Sequence, residues 1–208
     1  MRKIYKNTSK ITKLLMHIFS PYEIVNKERL SNIKGKIIAS NHVSNFDPPF
    51  IGSVIPYEIY FMAKAELFKN KLFGNLLNKL NVIPIKRGKM DIGAIKKCIN
   101  VLNQNHSLLI FPQGTRNGKN AKAGIGMIAS AVKKDIVPIY VENSNSLLSC
   151  FFRIKKVRII IGETIEWSEY AYLEGNKEKY QLISNDIFNK INQLSEYHTK
   201  QLDEAINM

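Results

Sequence analysis

The sequence predicts an α/β domain with a mostly parallel sheet flanked by helices, preceded by an N-terminal amphipathic helical segment. Two observations support this fold class. Short apolar runs of strand length alternate with amphipathic stretches of helical spacing along most of the chain, an alternation typical of β-α-β units. The chain has 208 residues, of which 45% are hydrophobic, so it is long enough for one domain with a sizeable core.

The first predicted element is an amphipathic helix over residues 10–19. Its apolar side chains recur at helical spacing, and lysines occupy the other face. Such a helix either lies in the interface of a bilayer or packs against the domain, and the sequence leaves both open. We therefore divide the chain into an N-terminal amphipathic segment, residues 1–29, expected at a membrane surface, and a domain over residues 30–208.

The remaining elements follow one another in a regular order. Apolar runs predict strands at 36–40, 59–62, 82–85, 107–111, 136–141 and 157–161. Apolar residues at helical spacing predict helices at 67–80, 92–102 and 125–134, and a long closing helix through 180–194. Asp47, followed by two prolines, predicts a further helix start, because Asp is a favourable N-cap residue and proline fits the first turn.

The chain is strongly basic. It has 31 Lys and Arg against 17 Asp and Glu, for a formal net charge of +14. A charge of this size predicts attraction to nucleic acid, to an anionic membrane surface or to phosphorylated small molecules. The four histidines show no metal-ligand spacing, so no metal is expected. The uncharged stretch 14–22 is too short to span a bilayer, so an association with membranes would be peripheral.

Asn41-His42 and Asp47 form the first candidate site. They follow a predicted strand and precede a predicted helix, where open α/β sheets usually have their functional residues. His42 and Asp47 are five positions apart, which on a continuous helix would leave them on different faces. In a loop that closes onto a helix start, Asp47 can turn back to one ring nitrogen of His42 and leave the other free as a base. Taken alone, such a pair is more often a structural cap.

Three further segments place polar or basic residues at predicted strands. Residues 111–116 read Phe-Pro-Gln-Gly-Thr-Arg, in which the glycine allows a ligand to approach the backbone and Arg116 offers a planar fork for phosphate. Residues 82–89 bring three basic side chains to the end of a strand. Residues 137–139 place a proline within a strand, which indicates an edge or a bend. Each segment alone is also compatible with an ordinary turn or a solvated basic surface.

Taken in order, these four segments resemble the 1-acylglycerol-3-phosphate O-acyltransferase family, within the glycerophospholipid acyltransferases. Members have Asn-His-x4-Asp, an apolar strand ending in Arg, Phe-Pro-Glu-Gly-Thr-Arg, and a strand containing Val-Pro. This sequence has Asn41-His42…Asp47, Ile85-Lys86-Arg87, Phe111-Pro112-Gln113-Gly114-Thr115-Arg116 and Val137-Pro138-Ile139. Residues 61–68 also resemble the family's segment between its first two motifs. The resemblance covers about residues 30–165, most of the chain.

The resemblance implies an enzyme of phospholipid biosynthesis. It would move a fatty acyl group from a thioester donor, acyl-CoA or acyl carrier protein, to the free hydroxyl of lysophosphatidate, giving phosphatidate. His42 would be the general base, oriented by Asp47, and the hydroxyl would attack the thioester without an acyl-enzyme. No cofactor is implied beyond the donor substrate. The residues that would bind substrate are Lys64, Arg87, Gln113, Gly114, Thr115 and Arg116, with the two arginines and the lysine at the acceptor phosphate.

Position 113 departs from the family pattern, because Gln113 stands where members usually have Glu. The amide keeps the shape and an acceptor oxygen but loses the charge. If the side chain only accepts a hydrogen bond from a substrate hydroxyl, activity is retained. If it must be ionised, activity falls. The change bears on rate and acceptor preference more than on the fold.

Other functions are compatible with parts of the sequence. The protein could be an acyltransferase of the same superfamily that acts on another lysolipid or on glycerol-3-phosphate, a lipid-binding relative with weak catalysis, or a basic nucleic-acid-binding protein. Nucleic acid is not an expected partner, since no RNA-binding or helix-turn-helix signature is present. The expected partners are a lysophospholipid, the acyl donor and an anionic membrane. The two distant cysteines favour a reducing compartment, and we expect a peripheral protein on the cytoplasmic side of the membrane.

Overall fold

The computed structural model describes residues 1–86, 88, 90–173 and 177–206, with side chains at all of these except 177 and 197–206. Seven strands form one sheet in the order β1-β7-β6-β2-β5-β3-β4. The strands are β1 (Tyr22–Val25), β2 (Ile37–Ser40), β3 (Ile59–Lys64), β4 (Val82–Ile85), β5 (Ser107–Ile110), β6 (Ile136–Glu142) and β7 (Val157–Ile161). The five strands from β6 to β4 run parallel, and β6 and β7 are antiparallel. The predicted α/β fold class is confirmed.

Helices cover both faces of the sheet. They are α1 (Lys3–Phe19), α2 (Asp47–Val54), α3 (Lys71–Lys79), α4 (Ile92–Asn103), α5 (Gly124–Val132), α6 (Leu147–Phe151) and α7 (Lys177–Ile206). Successive residues of a strand point to opposite faces, so Ile38 of β2 packs with α1 and α2, whereas Ile37 and Ala39 pack with α4, α5 and α7. Burial on both faces explains why the central strands are continuous apolar runs.

Most predicted elements end within two residues of the observed ones, but the helix predicted at 67–80 is wrong. The structure has a 3₁₀ turn at Ala65–Phe68 and a separate helix, α3. The Asn70 side chain accepts a hydrogen bond from the Phe73 N–H at 3.0 Å and so starts a new helix. Apolar periodicity runs through both pieces and does not reveal this break.

The N-terminal segment contributes to the sheet. Helix α1 begins at Lys3, well before the predicted start at residue 10, and it packs on α2. Strand β1, which the sequence analysis did not predict, pairs in parallel with β7. The sheet therefore begins within residues 1–29. Helix α6 was also missed, because it has only five residues.

Pro138 lies inside a strand that has neighbours on both sides, so of the two expected alternatives, an edge or a bend, the edge is excluded. Strand β6 pairs with β2 and with β7. The Pro138 carbonyl accepts from the Gly162 N–H at 2.8 Å, one residue beyond the end of β7. The missing proline N–H therefore removes one hydrogen bond between β6 and the chain after β7, and the pairing resumes with the two backbone bonds between Ile136 and Ile165.

Candidate active site

The predicted motifs meet at one edge of the sheet. The carboxyl ends of parallel strands lie together, so the loops after β2, β5 and β6 and the last residue of β3, Lys64, share this edge. Strands β2 and β3 are separated by β5 alone, so Lys64 and the end of β2 lie at the same end of the sheet with one strand between them. Arg87, predicted to bind phosphate, lies outside the described residues.

His42 and Asp47 form the hydrogen-bonded pair that their spacing predicted. His42 Nδ1 and Asp47 Oδ2 are 2.8 Å apart. The same oxygen accepts from the backbone N–H groups of Val43 and Ser44, each at 2.8 Å, and Oδ1 accepts from the Ser144 hydroxyl. Four donors therefore hold a carboxylate that is fully buried. An ionised Asp47 requires the hydrogen on Nδ1 of neutral His42, which leaves Nε2 as the acceptor.

Asp47 is the first residue of α2 and not its N-cap, so that detail of the prediction is wrong. The N-cap position is Phe46, whose side chain makes no cap hydrogen bond. The Asp47 carboxylate points back and closes the loop before the helix, where it bonds two backbone N–H groups. Pro48 and Pro49 occupy the start of the helix, where a missing N–H breaks no helical hydrogen bond.

The imidazole of His42 is held in one orientation. It stacks on the ring of Phe111 with centroids 4.2 Å apart and planes inclined by 19°. The side chain is only 10% exposed, and Nε2 makes no hydrogen bond in the described part of the chain. A neutral imidazole in this position presents one free lone pair at the edge of the sheet, as a general base requires.

The segment after β5 holds the backbone of His42. The His42 N–H donates to Gln113 Oε1 at 2.7 Å, and the His42 carbonyl accepts from the Asn117 N–H at 2.8 Å. Gln113 Nε2 donates to the Gly118 carbonyl at 2.7 Å, and the Gln113 side chain is buried. Both ends of the Gln113 amide thus bond to protein.

Three other predicted residues lie in the turn after β5. Gly114 has φ +66°, and its N–H donates to the Phe111 carbonyl at 2.9 Å, which closes the turn. That amide is therefore not free to donate to the oxyanion that develops when a hydroxyl attacks a thioester. Thr115 is half-buried and Arg116 is exposed. Their side chains make no hydrogen bond or ion pair among the described residues, and the same is true of the exposed Lys64.

Two residues at this edge have roles that sequence reasoning did not assign. The Asn41 side chain accepts from the Val141 N–H at 2.7 Å and donates to the Val141 carbonyl at 2.8 Å, which joins the chain after β2 to β6. Ser144 holds Asp47 from a position 97 residues away. A serine directly after a strand on the same edge was the available signal, but it has meaning only once β6 is known to lie beside β2.

Neither cysteine belongs to this site. Cys98 lies on α4 inside the core, and burial raises the pKa of its thiol to about 12. Cys150 is buried on α6. Both are free thiols, and neither is among the residues that surround His42.

The fold is an α/β fold, and the His42–Asp47 pair has the geometry that a histidine base requires. The Acyltransferase family model matches residues 22–142. This match covers more than half of the chain, and the chain belongs to the acyltransferase family. The resemblance inferred from the four sequence segments is confirmed, and with it the expectation of an enzyme.

Curated relatives and a solved structure agree with this assignment. The chain is 30% identical over 194 residues to 1-acyl-sn-glycerol-3-phosphate acyltransferase of Bacillus subtilis, covering 92% of this chain and 96% of the relative. It is 32% identical over 167 residues to the enzyme of the same name from Streptococcus pneumoniae, covering 79% of this chain and 62% of the relative. The crystal structure of PlsC, the 1-acyl-sn-glycerophosphate (LPA) acyltransferase from Thermotoga maritima, matches 93% of this chain and 79% of its own with a TM-score of 0.69. At 20% identity, that match supports the fold.

Proposed function

We propose that this acyltransferase moves a fatty acyl group from a thioester donor to the free hydroxyl of 1-acylglycerol-3-phosphate, giving phosphatidate. The names of the Bacillus subtilis and Streptococcus pneumoniae relatives support the acceptor. The most direct structural support is His42, whose Nδ1 is bonded to Asp47 while Nε2 accepts no hydrogen bond from the described residues. Acyl-CoA and acyl carrier protein are both compatible with a basic surface, so the donor stays a prediction.

The proposed chemistry uses the neutral imidazole as a proton carrier. His42 Nε2 takes the proton of the acceptor hydroxyl while that oxygen forms a bond to the thioester carbonyl carbon. Asp47 stabilises the imidazolium that results. The tetrahedral intermediate then breaks its C–S bond, and His42 returns the proton to the departing sulfur. The products are an ester and a free thiol, with no covalent enzyme intermediate.

The exposed cations are the proposed phosphate site. Arg116 extends from the turn that holds His42, and Lys64 ends a strand at the same edge. An arginine fork binds two phosphate oxygens at once, and a lysine adds a point charge. Arg87 follows β4 in the sequence but lies outside the described residues, and it stays a predicted contact.

Helix α1 is the proposed contact with the membrane. Tyr5 and Met16 are buried against the domain, so this helix does pack on it. It nevertheless exposes a row of apolar side chains: Ile11, Leu14, Leu15, Ile18 and Phe19.

Helix α6 extends this apolar surface. Phe19 of α1 stacks on Phe151 with centroids 6.0 Å apart. Beside it, Leu148, Phe152 and Ile154 are also exposed.

Charge on the same helix supports an anionic lipid surface as the partner. Four lysines of α1 are exposed, namely Lys3, Lys6, Lys10 and Lys13. Each basic residue near an anionic bilayer contributes about 1 kcal/mol. No helix among the described residues is long and apolar enough to cross a bilayer. We propose peripheral binding, and the cytoplasmic side stays a prediction.

A panel of acceptors tests the proposed function. Purified protein is incubated with lysophosphatidate, other lysolipids or glycerol-3-phosphate, each with acyl-CoA and with acyl carrier protein as donor, and products are identified by mass spectrometry. We expect phosphatidate from lysophosphatidate to form fastest with at least one donor. Faster acylation of glycerol-3-phosphate, or of a lysolipid without a phosphomonoester, would contradict the acceptor assignment.

A further inference from the structure

The Gln113 side chain connects the two segments that build the site. Its Oε1 accepts from the His42 N–H, and its Nε2 donates to the Gly118 carbonyl, both at 2.7 Å. The side chain is only 6% exposed. The fit around it is close, because a Cβ at Gly118 would lie 3.0 Å from the Gln113 Cβ. One end of the amide accepts and the other donates, so the two bonds together require an amide.

These bonds control where the base lies. The Gln113 oxygen holds the peptide N–H of His42, and the Asn117 N–H holds its carbonyl. The position of the imidazole follows that of the backbone, and proton transfer is sensitive to small displacements of the base. A change that releases the Gln113 amide would therefore reach the base without touching the imidazole.

A carboxylate at position 113 would make only one of the two bonds. An ionised Glu can accept from the His42 N–H, but it has no hydrogen for the Gly118 carbonyl. Two oxygens would then face each other in a place that water barely reaches, which is unfavourable. A protonated Glu regains the donor, so the mismatch should disappear as the pH falls.

We propose that Gln113 is a positioning residue for the His42 base, clamping the His42 peptide to the Gly118 carbonyl, and that it does not bind the acceptor. This replaces the substrate contact that the family resemblance implied for Gln113. The proposal rests on the proposed function, because that function makes His42 the base of acyl transfer.

The pH argument depends on which charged groups lie around Gln113. The segments that pack on its side chain contain the titratable or charged residues His42, Asp47, Arg116, Lys119 and Lys122. Gln113→Glu leaves all of these in place. A ratio of variant to wild-type kcat that rises as the pH falls therefore reports protonation of the new carboxyl group.

The kinetic test compares wild type, Gln113→Glu and Gln113→Met between about pH 6 and about pH 8.5. At the high end we expect Gln113→Glu to lower kcat about tenfold to a hundredfold, with acceptor KM within a few-fold. The ratio of variant to wild-type kcat should rise as the pH falls. Gln113→Met removes both bonds and has no proton to gain, so its ratio should stay low and flat.

A matched control changes the same residue type elsewhere. Gln193 is exposed on α7, and Gln193→Glu should leave kcat within twofold throughout the pH range. The proposal is overturned if Gln113→Glu raises acceptor KM while kcat is unchanged, since that is the signature of a lost substrate contact. It is also overturned if the Gln113→Glu ratio is as flat as that of Gln113→Met.

A second measurement needs no substrate and separates this proposal from the proposed function. Thermal unfolding of wild type and Gln113→Glu is followed across the same pH range. The fold favours the protonated carboxyl, so the deficit in Tm should be largest at high pH and should shrink as the pH falls. A deficit that does not change with pH overturns the clamp. If the wild type acylates no lysolipid, the proposed function fails and this Tm comparison alone decides on the clamp.

Discussion

The proposed catalytic pair, His42 and Asp47, and the exposed cations share one edge of the sheet but are built in opposite ways. Asp47 is fully buried with four donors on its carboxylate, and His42 is held by ring stacking and by its backbone. Lys64 and Arg116 are exposed, and their side chains have no hydrogen-bond or ion-pair partner in the described part of the chain. The proposed function thus assigns the chemistry to fixed groups and the phosphate binding to exposed, charged ones.

The difference has a physical reason. Proton transfer depends on the distance and angle between base and hydroxyl, so an immobile imidazole favours it. A phosphate is attracted at longer range and tolerates several geometries, and long side chains adapt to it at a cost in conformational entropy. Changes in the catalytic pair should therefore lower kcat, and changes in the cations should raise acceptor KM.

Removing the base should have the largest effect. His42→Ala is expected to lower kcat about a hundredfold to ten-thousandfold, the usual contribution of general base catalysis. The alanine leaves the Gln113 and Asn117 bonds to the peptide in place, so circular dichroism should match that of wild type. A folded variant that keeps most of the wild-type kcat would remove His42 from the mechanism.

Changing Asp47, the partner of the base, should have the next largest effect. Asp47→Asn keeps the shape of the side chain but removes the charge that stabilises the imidazolium, and we expect kcat to fall about a hundredfold or more. Ser144→Ala removes only one of the four donors and should cost about tenfold. Steady-state kinetics with thermal unfolding as a folding check gives both values. A larger loss for Ser144→Ala than for Asp47→Asn would contradict this order.

Removing an exposed cation should have a smaller effect, and this effect should be on acceptor KM and not on kcat. Arg116→Ala is expected to raise acceptor KM about threefold to tenfold, less than a buried pair would, because solvent screens the charge. The increase should vanish with an acceptor that lacks the phosphomonoester. Lys119 is exposed in the same segment, and Lys119→Ala should leave KM within twofold. Equal increases in acceptor KM for the two variants would indicate attraction by the overall positive charge of this surface and not a phosphate site at Arg116.

The membrane face should affect turnover least. Leu14→Ser with Ile18→Ser is expected to weaken sedimentation with anionic vesicles about tenfold or more, by loss of apolar contact. Turnover of a soluble short-chain acceptor should be unchanged. These point changes replace a deletion of α1, because deletion would also remove the buried Tyr5 and Met16. The control is Leu182→Ser, at an exposed leucine of α7. Equal loss of binding in the control, or binding indifferent to anionic lipid, would contradict the assignment to α1.

The fold could be predicted where burial is uniform. Strand β7 has the predicted bounds, and β2 and β5 each differ from the predicted strand by one residue at one end, since all three are short apolar runs that are almost entirely buried. Strand β1 was missed because it lies at the edge and is half-buried throughout, so its sequence Tyr-Glu-Ile-Val has no clear pattern. The segment 67–80 was predicted as one helix because its apolar periodicity is continuous. The break comes from the hydrogen bond of the Asn70 side chain, which periodicity does not show.

The site could be predicted only as far as local geometry defines it. Asp47 turns back to His42 within one short loop, so the spacing of the two residues and the prolines that follow were sufficient to predict their contact. Ser144 could not be found because its bond to Asp47 depends on β6 lying beside β2 in the sheet. The role of Gln113 required its two partners, which lie in different loops. The family resemblance alone implied a substrate contact.

The central claim is that the buried pair acts on chemistry and the exposed cations act on binding. The most direct test measures kcat and acceptor KM of Asp47→Asn and Arg116→Ala side by side with lysophosphatidate. We predict that Asp47→Asn lowers kcat with acceptor KM within a few-fold, and that Arg116→Ala raises acceptor KM with kcat within a few-fold. The opposite assignment, or the same parameter changing in both variants, would contradict the account.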